Sequence, residues 1–152
     1  MFDWLANPNR FNRITKKLQP FILFIAVITL ISGLYFGLYD SPKDYQQGDA
    51  VRIMYVHVPS AWLATFLYFS LAISCVFYLV WKHPLADLVS SSIAPIGALF
   101  SALTLVTGSL WGKPMWGTWW VWDARLTSML VLFFFYLGYI LLSNAFERKI
   151  DG

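Results

Sequence analysis

Four runs of apolar sequence constrain this chain more than any other feature. They cover about 20–39, 59–81, 88–110 and 126–143, each near the roughly 20 residues a helix needs to cross the hydrocarbon core of a bilayer. Hydrophobic residues make up 59% of the 152 and charged residues only 12%, well outside the soluble average. The fold class expected is therefore all-α: a single polytopic membrane domain of four transmembrane helices. The first run follows a basic segment, as a signal peptide would. Its apolar part is too long and no small-residue cleavage site follows, so it is expected to stay as an anchor.

Prolines support these limits. Pro20 and Pro59 suit a first helical turn, Pro42 and Pro84 fall in connections, and Pro95 lies early in the third run. Two small-xxx-small pairs, Gly33 with Gly37 and Gly108 with Gly112, allow close helix approach. The single cysteine, Cys75, lies inside an apolar run and reads as an inert packing residue.

The net charge of +3 is spread over short segments between the runs. No basic stripe forms, so nucleic acid is not an expected partner and charge speaks to orientation instead. Arg10, Arg13, Lys16, Lys17, Lys82, Arg148 and Lys149 fall on one side, against Lys43, Arg52, Lys113 and Arg125 on the other. The richer side is expected to be cytoplasmic, and both termini with it. The connection 40–58 and the one after the third run then share the outer face. The short link "KHPLAD" pairs the second and third runs, so His57 and the later connection are expected to meet.

That later connection reads "WGKPMWGTWWVWDARL". Five of the eight tryptophans lie here: Trp111, Trp116, Trp119, Trp120 and Trp122, closed by Asp123 and Arg125. Interfacial indoles are ordinary, and Trp62 and Trp81 read as no more than that. Five in so short a stretch ask for a ligand. Gly112, Pro114 and Gly117 argue against a continuous helix through the cluster, leaving a folded segment over 111–125 that presents ring faces to something flat. Haem answers that description, with a macrocycle for aromatic faces, propionates for Arg125 or Arg52, and an iron for an imidazole. A quinone head group or a lipid would use parts of the same surface.

His57, in "RIMYVHVPSAW", lies just ahead of the second run on the same side and is the candidate axial ligand to iron. Its plainer reading is a hydrogen-bonded interfacial histidine. His83 lies across the membrane and is excluded as a second ligand. Asp123 and Arg125 also read as a helix start with a snorkelling cation, and Arg52 as a solvated loop charge. No Walker A loop, HExxH, Cys-x-x-Cys-His or GxSxG occurs, and intramembrane charges are lacking, which disfavours a proton-coupled transporter. The rival readings are a quinone-reactive enzyme subunit with Asp123 relaying protons, and a purely structural transporter subunit.

Two stretches, "DYQQGDAVRIMYVHVPSAW" from Asp44 and "GSLWGKPMWGTWWVWDARLTS" from Gly108, cover about a quarter of the chain. In them the sequence resembles the haem-handling membrane proteins with a tryptophan-rich WWD segment, and within these the haem exporter C family of cytochrome c maturation. The resemblance implies a non-catalytic haem-binding subunit of the bacterial inner membrane, with haem b as its cofactor and its site on the periplasmic face. It also implies four protein partners: an ATP-binding-cassette subunit, a second membrane subunit, a small single-span subunit and a periplasmic haem chaperone. The family's first axial histidine matches His57, and its tryptophan-rich segment matches Trp111 through Asp123. Family members have six spans and a second axial histidine in a later outer loop. No residue here matches that histidine, so a shortened form, or a sixth ligand from elsewhere, is expected.

Overall fold

The computed structural model describes residues 8–150. Among them the chain is all-helical: α1 (Pro8–Leu34), a π-helical turn (Tyr35–Asp40), α2 (Val51–Trp81), α3 (Pro84–Trp116) and α4 (Ala124–Ile150). Four helical segments are long and apolar enough to cross a membrane, as the four runs require. The chain falls into two compact units divided between Pro42 and Lys43.

Every helix is longer than its apolar run. α1 begins twelve residues before Pro20 and α2 eight before Pro59, so both prolines lie inside helices instead of in first turns. The polar residues ahead of the first run and the mixed stretch 51–58 ahead of the second continue each helix, and each proline there costs it one backbone donor. Pro84 stands at the first position of α3, not in a connection. Only Lys82 and His83 remain between α2 and α3, and Lys82 turns the chain through the left-handed region at φ 52°.

In the second unit α3 is the central helix, packed against α2 on one side and α4 on the other. Its interface is built from small residues. Ala64, Ser90, Ala94, Gly97, Ala98 and Ser101 are buried, and among the described residues Tyr136 is the largest fully buried side chain. Small side chains let the backbones approach where no water drives association. The buried hydroxyls turn back onto their own helix, Ser101 to the Gly97 carbonyl at 2.9 Å and Thr104 to that of Phe100 at 2.8 Å, so these hydroxyls keep a partner without water. Large side chains such as Phe66, Leu99 and Leu141 point outward and are exposed.

Candidate functional site

The start of α2, the end of α3 and the start of α4 meet at one end of the second unit. His57 lies within the second turn of α2, not ahead of the helix. It stands some 25 residues from the Lys82–His83 turn, about 38 Å along a helix. His83 therefore belongs to the opposite end. The His57 ring is half-buried against α3, its Nδ1 3.0 Å from the Thr107 hydroxyl. Gly108 makes this approach possible, since a Cβ there would stand 3.1 Å from the imidazole Cε1. The small pair Gly108 and Gly112 thus makes room for two rings, because a Cβ at Gly112 would press on Trp116 at 3.3 Å.

The expected break at Gly112 and Pro114 does not occur. α3 runs through both to Trp116 and ends at Gly117, in the left-handed region at φ 74°, whose N–H donates to the Lys113 carbonyl at 3.1 Å. One proline in a last turn removes a single donor, whereas a glycine at positive φ closes the helix. Only 117–123 is irregular. Lys113 reinforces the stop, donating from Nζ to the Gly117 carbonyl at 3.0 Å and lying 5.7 Å from the Trp119 ring centre.

The indoles meet edge to face. Trp111 and Trp116 are 5.0 Å apart with ring planes at 87°, and Trp120 and Trp122 are 5.4 Å apart at 75°. Trp111 donates from Nε1 to the Gln47 side-chain oxygen at 2.9 Å. Gln47 is held by a tight loop in which the Asp44 carboxylate accepts the backbone N–H groups of Gln46 and Gln47 at 2.9 and 2.8 Å, with Gly48 at φ 57°. Across the mouth, the Arg125 guanidinium lies over the Trp116 ring at 5.3 Å and donates to Asp123 at 2.8 and 3.0 Å. The other Asp123 oxygen accepts the Leu126 N–H at 2.9 Å and caps α4. That backbone bond, and then the Arg125 bond, hold the Asp123 carboxyl below its ordinary pKa.

These groups enclose a cavity of about 330 Å³. Of the residues singled out in the sequence, His57, Trp111, Trp116, Asp123 and Arg125 line it. Trp119 and Trp122 are exposed on the loop beyond it, and Trp120 lies beside them with its Nε1 buried and without a hydrogen-bond partner. Arg52 lies outside the cavity lining, 3.9 Å from Asp49, which also pairs with Lys43 at 2.7 Å. The Lys43 bond holds the Asp49 carboxyl below its ordinary pKa.

Met54, Thr104, Leu126 and Met129 also line the cavity, and sequence reasoning passed over them; Gly108, read there only as a point of close helix approach, lines it too. A signal was there for α3: positions 104, 107, 108 and 111 share one helical face, so the tryptophan nearest His57 arrives with two threonines and a glycine. Met54 lies one turn before His57. Nothing in the sequence marks Met129.

Helices of this length and polarity around one half-open aromatic cavity define a polytopic helical membrane protein with a ligand-sized site near one membrane face. The chain belongs to the family described as "Heme exporter protein C", whose sequence profile matches residues 1–152. It is 52% identical over 155 aligned positions to the Heme exporter protein C of Haemophilus influenzae, covering 100% of this chain and 63% of the relative. The protein of the same name from Bradyrhizobium diazoefficiens is 52% identical over 143 positions, 94% of this chain and 54% of the relative. That of Escherichia coli K12 is 48% identical over 149, 97% and 61%. The chain thus spans between 54% and 63% of the length of these relatives.

Proposed function

We propose that this chain binds haem b non-covalently in the cavity beside His57 and presents it at the outer membrane face for cytochrome c maturation, without catalysing a reaction itself. One observation carries the reading. An imidazole held through Nδ1 by the Thr107 hydroxyl shares a cavity with the edge-to-face pair Trp111 and Trp116 and with Arg125.

The donor set fits this cargo. Among the described residues no group of three or more His, Cys, Asp or Glu stands together, so a bare metal ion would find at most His57 and the Arg125-paired Asp123 here. A haem iron brings four nitrogens of its own and asks the protein for one or two axial ligands. Trp111 and Trp116 offer apolar ring surface, and Arg125 would hold a propionate. The unpaired Trp120 Nε1 is a spare donor on the same loop. Met54 and Met129 add thioethers, which are haem ligands in other proteins. Trp119, Trp122 and Arg52, outside the cavity, are assigned to its outer rim, where a haem edge or a receiving protein would pass.

The names of the relatives support haem as cargo and an exporter as the setting. In that setting the chain works with an ATP-binding-cassette subunit, a second membrane subunit, a small single-span subunit and a periplasmic haem chaperone. The Lys and Arg asymmetry supports cytoplasmic termini and a periplasmic site, and the inner membrane is the setting that the resemblance implies. A quinone-reactive subunit needs a proton carrier at Asp123, and that carboxylate is committed to capping α4 and pairing with Arg125.

An absorption spectrum of the purified protein tests the proposal. A Soret band lost in His57→Ala is expected, and a protein without one after haem addition sinks the reading.

A further inference from the structure

We propose that Thr107 is a positioning residue that fixes His57 as the Nδ1–H tautomer, committing Nε2 as the nitrogen offered to a ligand. The inference rests on the reading of His57 as an axial ligand only for its consequence, because the tautomer is a property of the chain by itself.

The argument is a count of protons. The Thr107 Oγ1 lies 2.7 Å from the Leu103 carbonyl oxygen, 3.3 Å from that of Thr104 and 3.0 Å from His57 Nδ1. A carbonyl can only accept, and a hydroxyl has one proton to give. If that proton went to Nδ1, the hydroxyl and Leu103 oxygens would face each other at 2.7 Å with no hydrogen between them. If it goes to Leu103, the hydroxyl still has lone pairs and accepts from Nδ1–H. Only the second arrangement satisfies both short contacts, and it leaves Nε2 with its lone pair.

The site is built to hold that arrangement. Thr107 is buried, so water does not compete for its lone pair. Gly108, the next residue, admits the ring to within reach of the hydroxyl. An imidazole whose far nitrogen is held by an acceptor is oriented and made more basic at the ligating nitrogen, and loss of such a partner typically weakens metal affinity 10- to 100-fold. Neither Leu103 nor Thr107 touches the cargo in this scheme. They act through His57.

The test uses the full 152-residue chain in detergent micelles, with ¹⁵N-labelled histidine and His83→Gln to leave one imidazole. At alkaline pH, where that ring is neutral, the ¹⁵N shifts distinguish a protonated from an unprotonated ring nitrogen without haem. Wild-type Thr107 and Thr107→Ser are expected to show Nδ1 protonated. Thr107→Val, which keeps the shape and removes the hydroxyl, is expected to shift the population toward Nε2–H. Titration with haem should then show affinity reduced about 10- to 100-fold in the valine variant and restored by serine. An unprotonated Nδ1 in the wild type, or a tautomer indifferent to valine, overturns the proposal. Serine that folds but behaves as valine also overturns it. The separate failure of His57→Ala to alter haem binding would overturn the proposed function and leave the tautomer assignment standing.

Discussion

The Tyr136 hydroxyl of α4 donates to the Ala64 backbone carbonyl of α2 at 2.8 Å, and its ring lies against Gly97 of α3. One side chain thereby ties three helices, and its position depends on a neighbour without a side chain. Burial raises the Tyr136 residue's importance beyond that single bond, since it also meets the Tyr68 ring edge-on at 5.5 Å. Tyr136→Phe is expected to cost about 0.5 to 1.5 kcal/mol, the range for one net hydrogen bond. Gly97→Ala is expected to cost more, because a methyl there collides with the ring and one of the packed helices must move. Thermal unfolding in detergent, followed by circular dichroism, checks the order.

Removing His57 should abolish or shift the haem spectrum, and His83→Ala should leave it unchanged. The two histidines are at opposite ends of α2, and only His57 lines the cavity. Equal effects in the two variants would contradict the assignment.

Added imidazole should bind to the haem-loaded 152-residue chain and convert it to a six-coordinate, low-spin form. His57 is the one histidine in the cavity, and the sulfur of Met54 or Met129 is a neutral ligand that a strong nitrogen donor displaces. A spectrum insensitive to imidazole would mean that two strong ligands are already in place. Magnetic circular dichroism distinguishes the outcomes.

Replacing Trp111 and Trp116 together by Leu should reduce haem retention more than replacing Trp119 and Trp120. The first pair lines the cavity and the second does not. Membrane insertion should be unchanged in both, because leucine keeps the apolar character. Retention on a desalting column, read at the Soret band, checks this.

Asp123 gives an acid-side prediction. Its folded pKa lies below the ordinary value of 3.8, so its contribution to stability is complete above that value. The contribution is lost only as pH falls through the lower folded value. Asp123→Asn keeps a capping oxygen and cannot titrate. The difference in thermal midpoint between wild type and variant should therefore be constant at neutral pH and shrink on acidification below 3.8.

The membrane helices were legible because apolar length leaves a helix as the economical way to satisfy backbone groups in lipid. Their ends were less so, since the turns from Val51 to Val58 mix Arg52 and His57 with apolar residues and are helical all the same. Pro114 misled for a related reason: a proline reads as a break, yet its cost depends on whether the lost donor faces lipid or the wet end of a helix. The meeting of His57 with Trp111 and Trp116 followed from span order and the short link at Lys82. The division of the five indoles between cavity and rim did not, because it depends on where α3 stops, and one left-handed glycine at 117 decides that. Thr107 was invisible as a partner because its role needs the rotational setting of α3 against α2.

Gln47, Trp111, Trp116, Arg125 and Asp123 form a series of contacts beside the cavity mouth, and such a series opens at its weakest link. The Gln47–Trp111 join is a directed hydrogen bond between part-buried side chains. Trp111 and Trp116 share α3, and Asp123 and Arg125 are two residues apart on one backbone. What remains is the Arg125 guanidinium resting on the Trp116 ring, with Arg125 largely in solvent, a contact worth about 0.5 to 1 kcal/mol at an exposed site. The weakest closure of the cavity mouth is therefore the one between the end of α3 and the start of α4.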